Sequence, residues 1–268
     1  MKVTTQFAMI TTAFTLHNFL FEGIADKRVY EWPLMSSPWK IFGIIGAYLV
    51  LIYIILPSYM EKRKSFALTN IIRLYNIFEI VTNTALIYGL ATSGWLSHYT
   101  IGCQPGDYSS NEMALRMTKI MWIIAMLKIV QFIDTVFFIL RKKYDLVTFL
   151  HVYHHVSTAI VTWICAKYFA GGMTSFPWFI NAFVHLLMYS YYLLLSFPQT
   201  RNSMRGVKSK LTLIQIIQMI VMVVHSAQSL LPSCQVSSVY GIIMLPYLSV
   251  MLYFFVAFYY KSYIKKNV

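Results

Sequence analysis

Long apolar runs separated by short, mostly basic loops dominate this sequence, and that alternation constrains the fold more than any other feature. A helix needs about 20 predominantly apolar residues to cross the hydrocarbon core of a bilayer. Seven segments answer that description, over residues 40–58, 70–93, 116–140, 147–166, 175–197, 211–231 and 240–260. Composition agrees, since 58% of the chain is hydrophobic and only 12% is charged, against about 25% charged residues in a soluble domain. The expected fold is therefore an all-α integral membrane protein with seven transmembrane helices, forming a single domain over residues 1–268. No internal repeat, linker or low-complexity tract divides it. The stretch "VTTQFAMITTAFTL" after Lys2 has neither a continuous apolar run nor a small-residue cleavage site, so no cleavable signal peptide is expected.

Loop charge sets the expected orientation. The segments "EKRKS", "RKKYD", "TRNSMRGVKSK" and the tail "KSYIKKNV" hold 13 of the 22 Lys and Arg residues. The alternating loops, 94–115, 167–174 and 232–239, hold only Lys167. Basic loops stay cytoplasmic, which predicts a cytoplasmic C-terminus and an N-terminus on the opposite, lumenal side. The net charge of +13 reflects this topology first. It also suits anionic headgroups or an anionic soluble substrate. Cys103 and Cys234 both fall in non-cytoplasmic loops, where an oxidising compartment permits a disulfide between them. Two unpaired thiols sharing one compartment are the alternative. Cys165 lies within span four.

Ionisable groups inside a span are costly and usually face the bundle interior. Span four opens with "TFLHVYHHVS", whose His151, His154 and His155 share one helical face at i, i+3 and i+4. Span three carries "KIVQFIDT", in which Lys128, Gln131 and Thr135 fall on one face with Asp134 beside them. Span five carries "NAFVHLLMYSYY", where Asn181, His185, Met188, Tyr189 and Tyr192 follow a helical stripe. At a rise of about 1.5 Å per residue, Asp134 lies roughly 10 Å, His154 about 16 Å, Lys128 about 20 Å and His185 about 24 Å from the basic end. These depths allow one shared cavity. The "YSYY" tyrosines equally suit interfacial packing. His225 reads as a helix–helix hydrogen-bond partner, and Thr212, Gln215 and Gln218 suit interhelical bonding as well as substrate contact.

Clustered histidines admit two chemistries. A membrane di-iron desaturase or hydroxylase also uses HxxHH, but it needs several such boxes. This chain has seven histidines in all, with His17, His98, His185 and His225 scattered singly. Asp134 is the one carboxylate expected nearby. A single metal held by His151 and His155 would need His185 or Asp134 as a third ligand, and no metal or other cofactor is expected. The other chemistry is acyl transfer. A neutral imidazole attacks a thioester, a neighbouring histidine orients or deprotonates it, and burial favours the neutral form. Span count alone would also admit a receptor or transporter, which has no need for three histidines near a basic mouth.

The ordered motifs "DKRVYEWPLMSSPW", "KRKSF", "RLYN", "DTVFFILRKK", "TFLHVYHH", "NAFVHLLMYSYY" and "TLIQIIQ" resemble those of the very-long-chain fatty acid elongases, the ELO family of the endoplasmic reticulum. The likeness runs from about Asp26 to the C-terminus. It implies seven helices, six of them around an acyl tunnel. The implied reaction condenses long-chain acyl-CoA with malonyl-CoA to give 3-oxoacyl-CoA, carbon dioxide and CoA. Both thioesters are substrates, and no cofactor is implied. By the same resemblance His154 carries the acyl group, His185 assists at the thioester, and His151 and His155 orient or deprotonate. Lys128 and Asp134 shape the charge around the malonyl carboxylate or the CoA phosphates, with Gln131, Asn181 and Tyr189 facing substrate beside them. Arg141, Lys142, Arg201, Lys208 and Lys210 become CoA contacts. The family pattern K-x-x-E has Gln131 in place of its Glu here, so a role requiring that carboxylate is in question. Lys265 and Lys266 resemble a dilysine retrieval signal. Membrane lipid and the other elongation-cycle enzymes are the expected partners. Nucleic acid is not, and a homo-oligomer is left open.

Overall fold

The computed structural model describes residues 23–204 and 206–265. The stretch 3–16, His17, Arg205 and Lys266, on which parts of the sequence reading fall, lie outside the described residues. A long helix covers each of the seven apolar segments, and there is no strand among the described residues. The helices are α1 (Pro38–Met60) and α2 (Thr69–Leu90), α3 (Glu112–Leu140) and α4 (Phe149–Tyr168), then α5 (Phe176–Leu195), α6 (Val207–Ala227) and α7 (Ser238–Tyr259).

Local sequence explains where several of them begin. Ser37 accepts from the Trp39 N–H and Pro38 occupies the first turn of α1, where a missing N–H costs nothing. Asn111 caps α3 by accepting from the Ala114 N–H. Thr148 caps α4 by accepting from the His151 N–H, so the histidine box opens within the first turn of that helix.

Five helices (α1, α3, α5, α6 and α7, some with short extensions) are long and apolar enough on their own to cross a membrane. Helices α2 and α4 fall short of that hydropathy because of what they carry. Arg73, Glu79, Asn70, Asn76 and Asn83 lie on α2, and three histidines and Lys167 lie on α4. Both helices pack against neighbours instead of relying on an apolar circumference, α2 on α5 and α4 on α3. The packing order α2–α3–α4–α7–α6–α5 returns to α2, closing a ring of six, while the second half of α1 lies against the second half of α3. Outward-facing Trp39, Leu74, Tyr88 and Tyr253 are each exposed by 68% or more, as a lipid-facing surface requires.

One end of the bundle carries the basic connections. At the other, Cys103 and Cys234 are joined by a disulfide with their Cα atoms 5.5 Å apart. The segment before α1 is tied down at that end: Trp122 and Trp163 donate to the Pro33 and Leu34 carbonyls at 3.0 and 2.9 Å, and the Lys167 ammonium donates to the Met35 carbonyl. Gly172 has φ +56°, and a Cβ there would collide with the backbone of Gln104 and Pro105. Glycine is therefore required where the α4–α5 turn meets the disulfide loop.

Candidate active site

The site is built around a break in α3. Its regular ladder gives way at Gln131, where Phe132 donates to Ile129, Asp134 to Gln131 and Thr135 to Phe132. Three-residue bonds tighten a helix to about 120° per residue instead of 100°. The extra turn brings Asp134 into line with Gln131 and rotates Thr135 away. The sequence reading placed Lys128, Gln131 and Thr135 on one face, and the structure corrects it. Lys128, Gln131 and Asp134 face α2 and α5, whereas Thr135 faces α1 and the histidine box.

Each of these side chains has a defined partner. The Lys128 Nζ donates to Asn181 Oδ1 at 2.9 Å. Asp134 Oδ2 accepts from the hydroxyls of Tyr189 at 3.0 Å and Tyr75 at 3.2 Å. Tyr189 of "YSYY" thus belongs to this interior cluster. Gln131 Nε2 lies 3.0 Å from Glu79 Oε2 and 3.4 Å from His185 Nδ1. Lys128, Gln131, Glu79, Tyr189 and His185 are all buried, so such pairing is what makes their placement affordable in a lipid-embedded bundle.

Glu79 is the residue the sequence reading missed. Asp134 was expected as the only carboxylate near the box, yet a second one reaches in from α2. The carboxylate missing from position 131 is thereby present across the helix interface. Its signal was in the sequence, since Asn76, Glu79 and Asn83 recur at three- and four-residue steps on the buried face of α2.

The box itself stands on the α4 face nearest α1, α3 and α7. His151 Nε2 lies 2.8 Å from Thr135 Oγ1, which is 2.7 Å from the Tyr48 hydroxyl. His154 Nδ1 lies 3.3 Å from Thr158 Oγ1, itself 2.9 Å from the Tyr247 hydroxyl. The His155 ring sits between them, with centroids 4.4 Å from His151 and 5.7 Å from His154. Among the described residues, no three His, Cys, Asp or Glu side chains converge in a metal-binding geometry. What the arrangement offers is a set of imidazoles, three of them oriented by a hydroxyl or an amide, beside one ammonium and two carboxylates. Such a set suits nucleophilic and proton-transfer chemistry at a carbonyl.

The remaining sequence candidates fall into place around this centre. Arg141, Lys142, Arg201, Lys208 and Lys210 are all exposed at the basic end. Gln215 contacts Met188 Sδ across to α5, whereas Gln218 and Thr212 bond within α6. His225 was expected to bridge helices through a hydrogen bond. Its contact with α5 is instead a ring packed on Phe176, with centroids 4.2 Å apart. Cys165 is a buried free thiol. An apolar groove of about 710 Å³ opens between α1, α4 and α7 at the disulfide end, walled by Ile160, Trp163, Ile164, Val239 and Ile243. It has room for an apolar molecule.

The model of the ELO: GNS1/SUR4 family matches residues 33–268. The chain is 36% identical over 240 residues to very long chain fatty acid elongase 4 of Homo sapiens, covering 90% of this chain and 76% of the relative. It is 39% identical over 211 residues to elongase 1 of Mus musculus, covering 78% and 76%. A very long chain fatty acid elongase of Aedes aegypti is 37% identical over 221 residues, covering 82% of this chain and 62% of the relative.

Proposed function

The chain belongs to the ELO (GNS1/SUR4) family, and from that premise we propose that it catalyses the condensing step of fatty acid chain elongation. The observation that carries this reading is the convergence of Lys128, Gln131 and Asp134 with Asn181, His185 and Tyr189, beside the box of His151, His154 and His155. The substrates are a long-chain acyl-CoA and malonyl-CoA. The products are 3-oxoacyl-CoA, CoA and carbon dioxide.

His154 is the nucleophile in this mechanism. With its Nδ1–H donated to Thr158, the lone pair of Nε2 is free to attack the thioester carbonyl. The C–S bond breaks, an acyl-imidazolium forms, and the CoA thiolate leaves to take up a proton from solvent. Malonyl-CoA then loses carbon dioxide, and its C2 carbanion attacks the acyl carbonyl. The C–N bond breaks, returning His154 to the neutral form. His185 donates to the developing oxyanion, and Lys128 attracts the malonyl carboxylate. His151 and His155 hold the box in register. No cofactor enters these steps.

The six-helix ring fits an acyl tunnel, with all seven helices crossing the membrane. Basic loops facing the cytoplasm put Arg141, Lys142, Arg201, Lys208 and Lys210 at its mouth, where they meet CoA phosphates. The N-terminus is then lumenal. In this reading the enzyme works in the endoplasmic reticulum membrane, among the other enzymes of the elongation cycle. A di-iron desaturase is not favoured, since the relatives are named elongases.

The direct test is release of labelled carbon dioxide from carboxyl-labelled malonyl-CoA, dependent on added long-chain acyl-CoA. Formation of the matching 3-oxoacyl-CoA is expected. Failure with every acyl-CoA in a length and unsaturation series would refute the reading.

A further inference from the structure

Glu79 lies fully buried on α2, and its Oε2 accepts from two amide donors, Gln131 Nε2 at 3.0 Å and Asn83 Nδ2 at 3.1 Å. Its other oxygen, Oε1, has no hydrogen-bond partner among the described residues. An ionised carboxylate only accepts, so as a carboxylate Glu79 presents Oε2 as an acceptor to both amides. An acceptor at that point fixes the direction of the Gln131 amide. If the amide were reversed, two oxygens would face each other at hydrogen-bond distance, and Oε2 would lose a donor inside a lipid-embedded core.

The nitrogen end of Gln131 held in this way is also the end that meets His185, 3.4 Å from its Nδ1. An amide NH₂ has two hydrogens and no acceptor capacity. It can serve Glu79 with one hydrogen and His185 with the other only if Nδ1 is bare. In a neutral imidazole the ring proton then resides on Nε2. We propose that Glu79 is a positioning residue that acts through the Gln131 amide to hold His185 as the Nε2–H tautomer. The tautomer follows from the hydrogen-bond geometry around an ionised Glu79. Its use, donation from Nε2 to the thioester oxygen as negative charge builds there, rests on the condensation mechanism proposed above.

No other described residue supplies this constraint. Lys128 is engaged with Asn181, and Asp134 with Tyr75 and Tyr189. His154 and His155 lie on α4, and the hydrogen bond to His185 Nδ1 comes from Gln131. Position 131 therefore works here as an amide clamped by a carboxylate from the neighbouring helix, a pairing that neither residue provides alone.

The test reads the tautomer first and activity second. Full-length protein in detergent micelles is labelled with ¹⁵N-histidine, and the His185 signals are identified by their loss in His185→Ala. The wild type is expected to show a protonated Nε2 and a bare Nδ1. In Glu79→Gln the amide at 131 is free to turn its oxygen to the ring, and Nδ1–H is expected to appear. The double variant Glu79→Gln/Gln131→Glu places a carboxylate on Nδ1 and is expected to show Nδ1–H throughout. Turnover in Glu79→Gln should fall by about tenfold or more with KM for acyl-CoA within about threefold, the pattern of lost transition-state stabilisation. Nδ1–H in the wild type overturns the proposal, as does Nε2–H retained in Glu79→Gln or in the double variant, because that readout needs only folded protein and not activity. A wild type that gives Nε2–H but never releases carbon dioxide would instead count against the condensation reading.

Discussion

The hydroxyl of Thr135 lies 2.8 Å from Nε2 of His151, and that single contact ties the histidine box on α4 to the broken segment of α3. The same oxygen meets the Tyr48 hydroxyl at 2.7 Å, so α1 is joined to the box as well. Replacing Thr135 by Val keeps the shape but leaves a buried tyrosine hydroxyl and an imidazole nitrogen without their partner. We expect this to cost about 1–3 kcal/mol of stability and to lower turnover, with Thr135→Ser close to wild type. Thermal unfolding and turnover, measured side by side on both variants, check it.

Asp134 is a shared acceptor for Tyr75 and Tyr189 from two different helices. Tyr75→Phe and Tyr189→Phe should each reduce turnover by about ten- to hundredfold, the range for losing one hydrogen bond to a charged group. Because both act on one oxygen, the double variant should fall short of the product of the single effects. A double-mutant cycle on turnover measures this, and independent effects would separate the two tyrosines functionally.

The contrast between Asp134 and Glu79 shows what the sequence could and could not reveal. Lys128, Asp134, the box and His185 stood out because ionisable groups in apolar runs are rare, and a shared depth along the helices already suggested that they meet. Glu79 belongs to a segment rich in asparagine and threonine, where one more polar residue carries less contrast. The break at Gln131 has no proline or glycine to announce it, so the rotation of Asp134 and Thr135 could not be read in advance. Tyr48 and Tyr247 looked like ordinary aromatic residues of a membrane helix. Only three-dimensional packing shows that their hydroxyls orient His151, through Thr135, and His154, through Thr158. The ring order of the helices, likewise, is a property of long-range contacts that hydropathy does not encode.

The Cys103–Cys234 disulfide spans 131 residues, and a cross-link over so long a loop is worth up to about 5 kcal/mol in a chain-entropy account. A membrane-confined unfolded state lowers that figure. Non-reducing peptide mapping should recover the linked pair, Cys165 should alkylate only after denaturation, and Cys103→Ser should lower the midpoint of thermal unfolding. Recovery of both thiols free in the native protein would contradict the pairing.

Arg201, Lys208 and Lys210 are exposed together with Arg141 and Lys142. If they meet the phosphates of CoA, Lys208→Glu/Lys210→Glu should raise KM for acyl-CoA by about threefold or more while leaving the maximal rate unchanged. The defect should grow smaller as salt is added, because screening removes the wild-type advantage. Steady-state kinetics at two ionic strengths decide it.

The central claim, that His154 carries the acyl group, is tested most directly by mass spectrometry of the enzyme incubated with acyl-CoA and no malonyl-CoA. The account predicts a mass increase of one acyl group, mapped to His154, discharged when malonyl-CoA is added and absent from His154→Ala. An adduct that persists on His154→Ala, or a wild type that turns over without ever forming one, would contradict it.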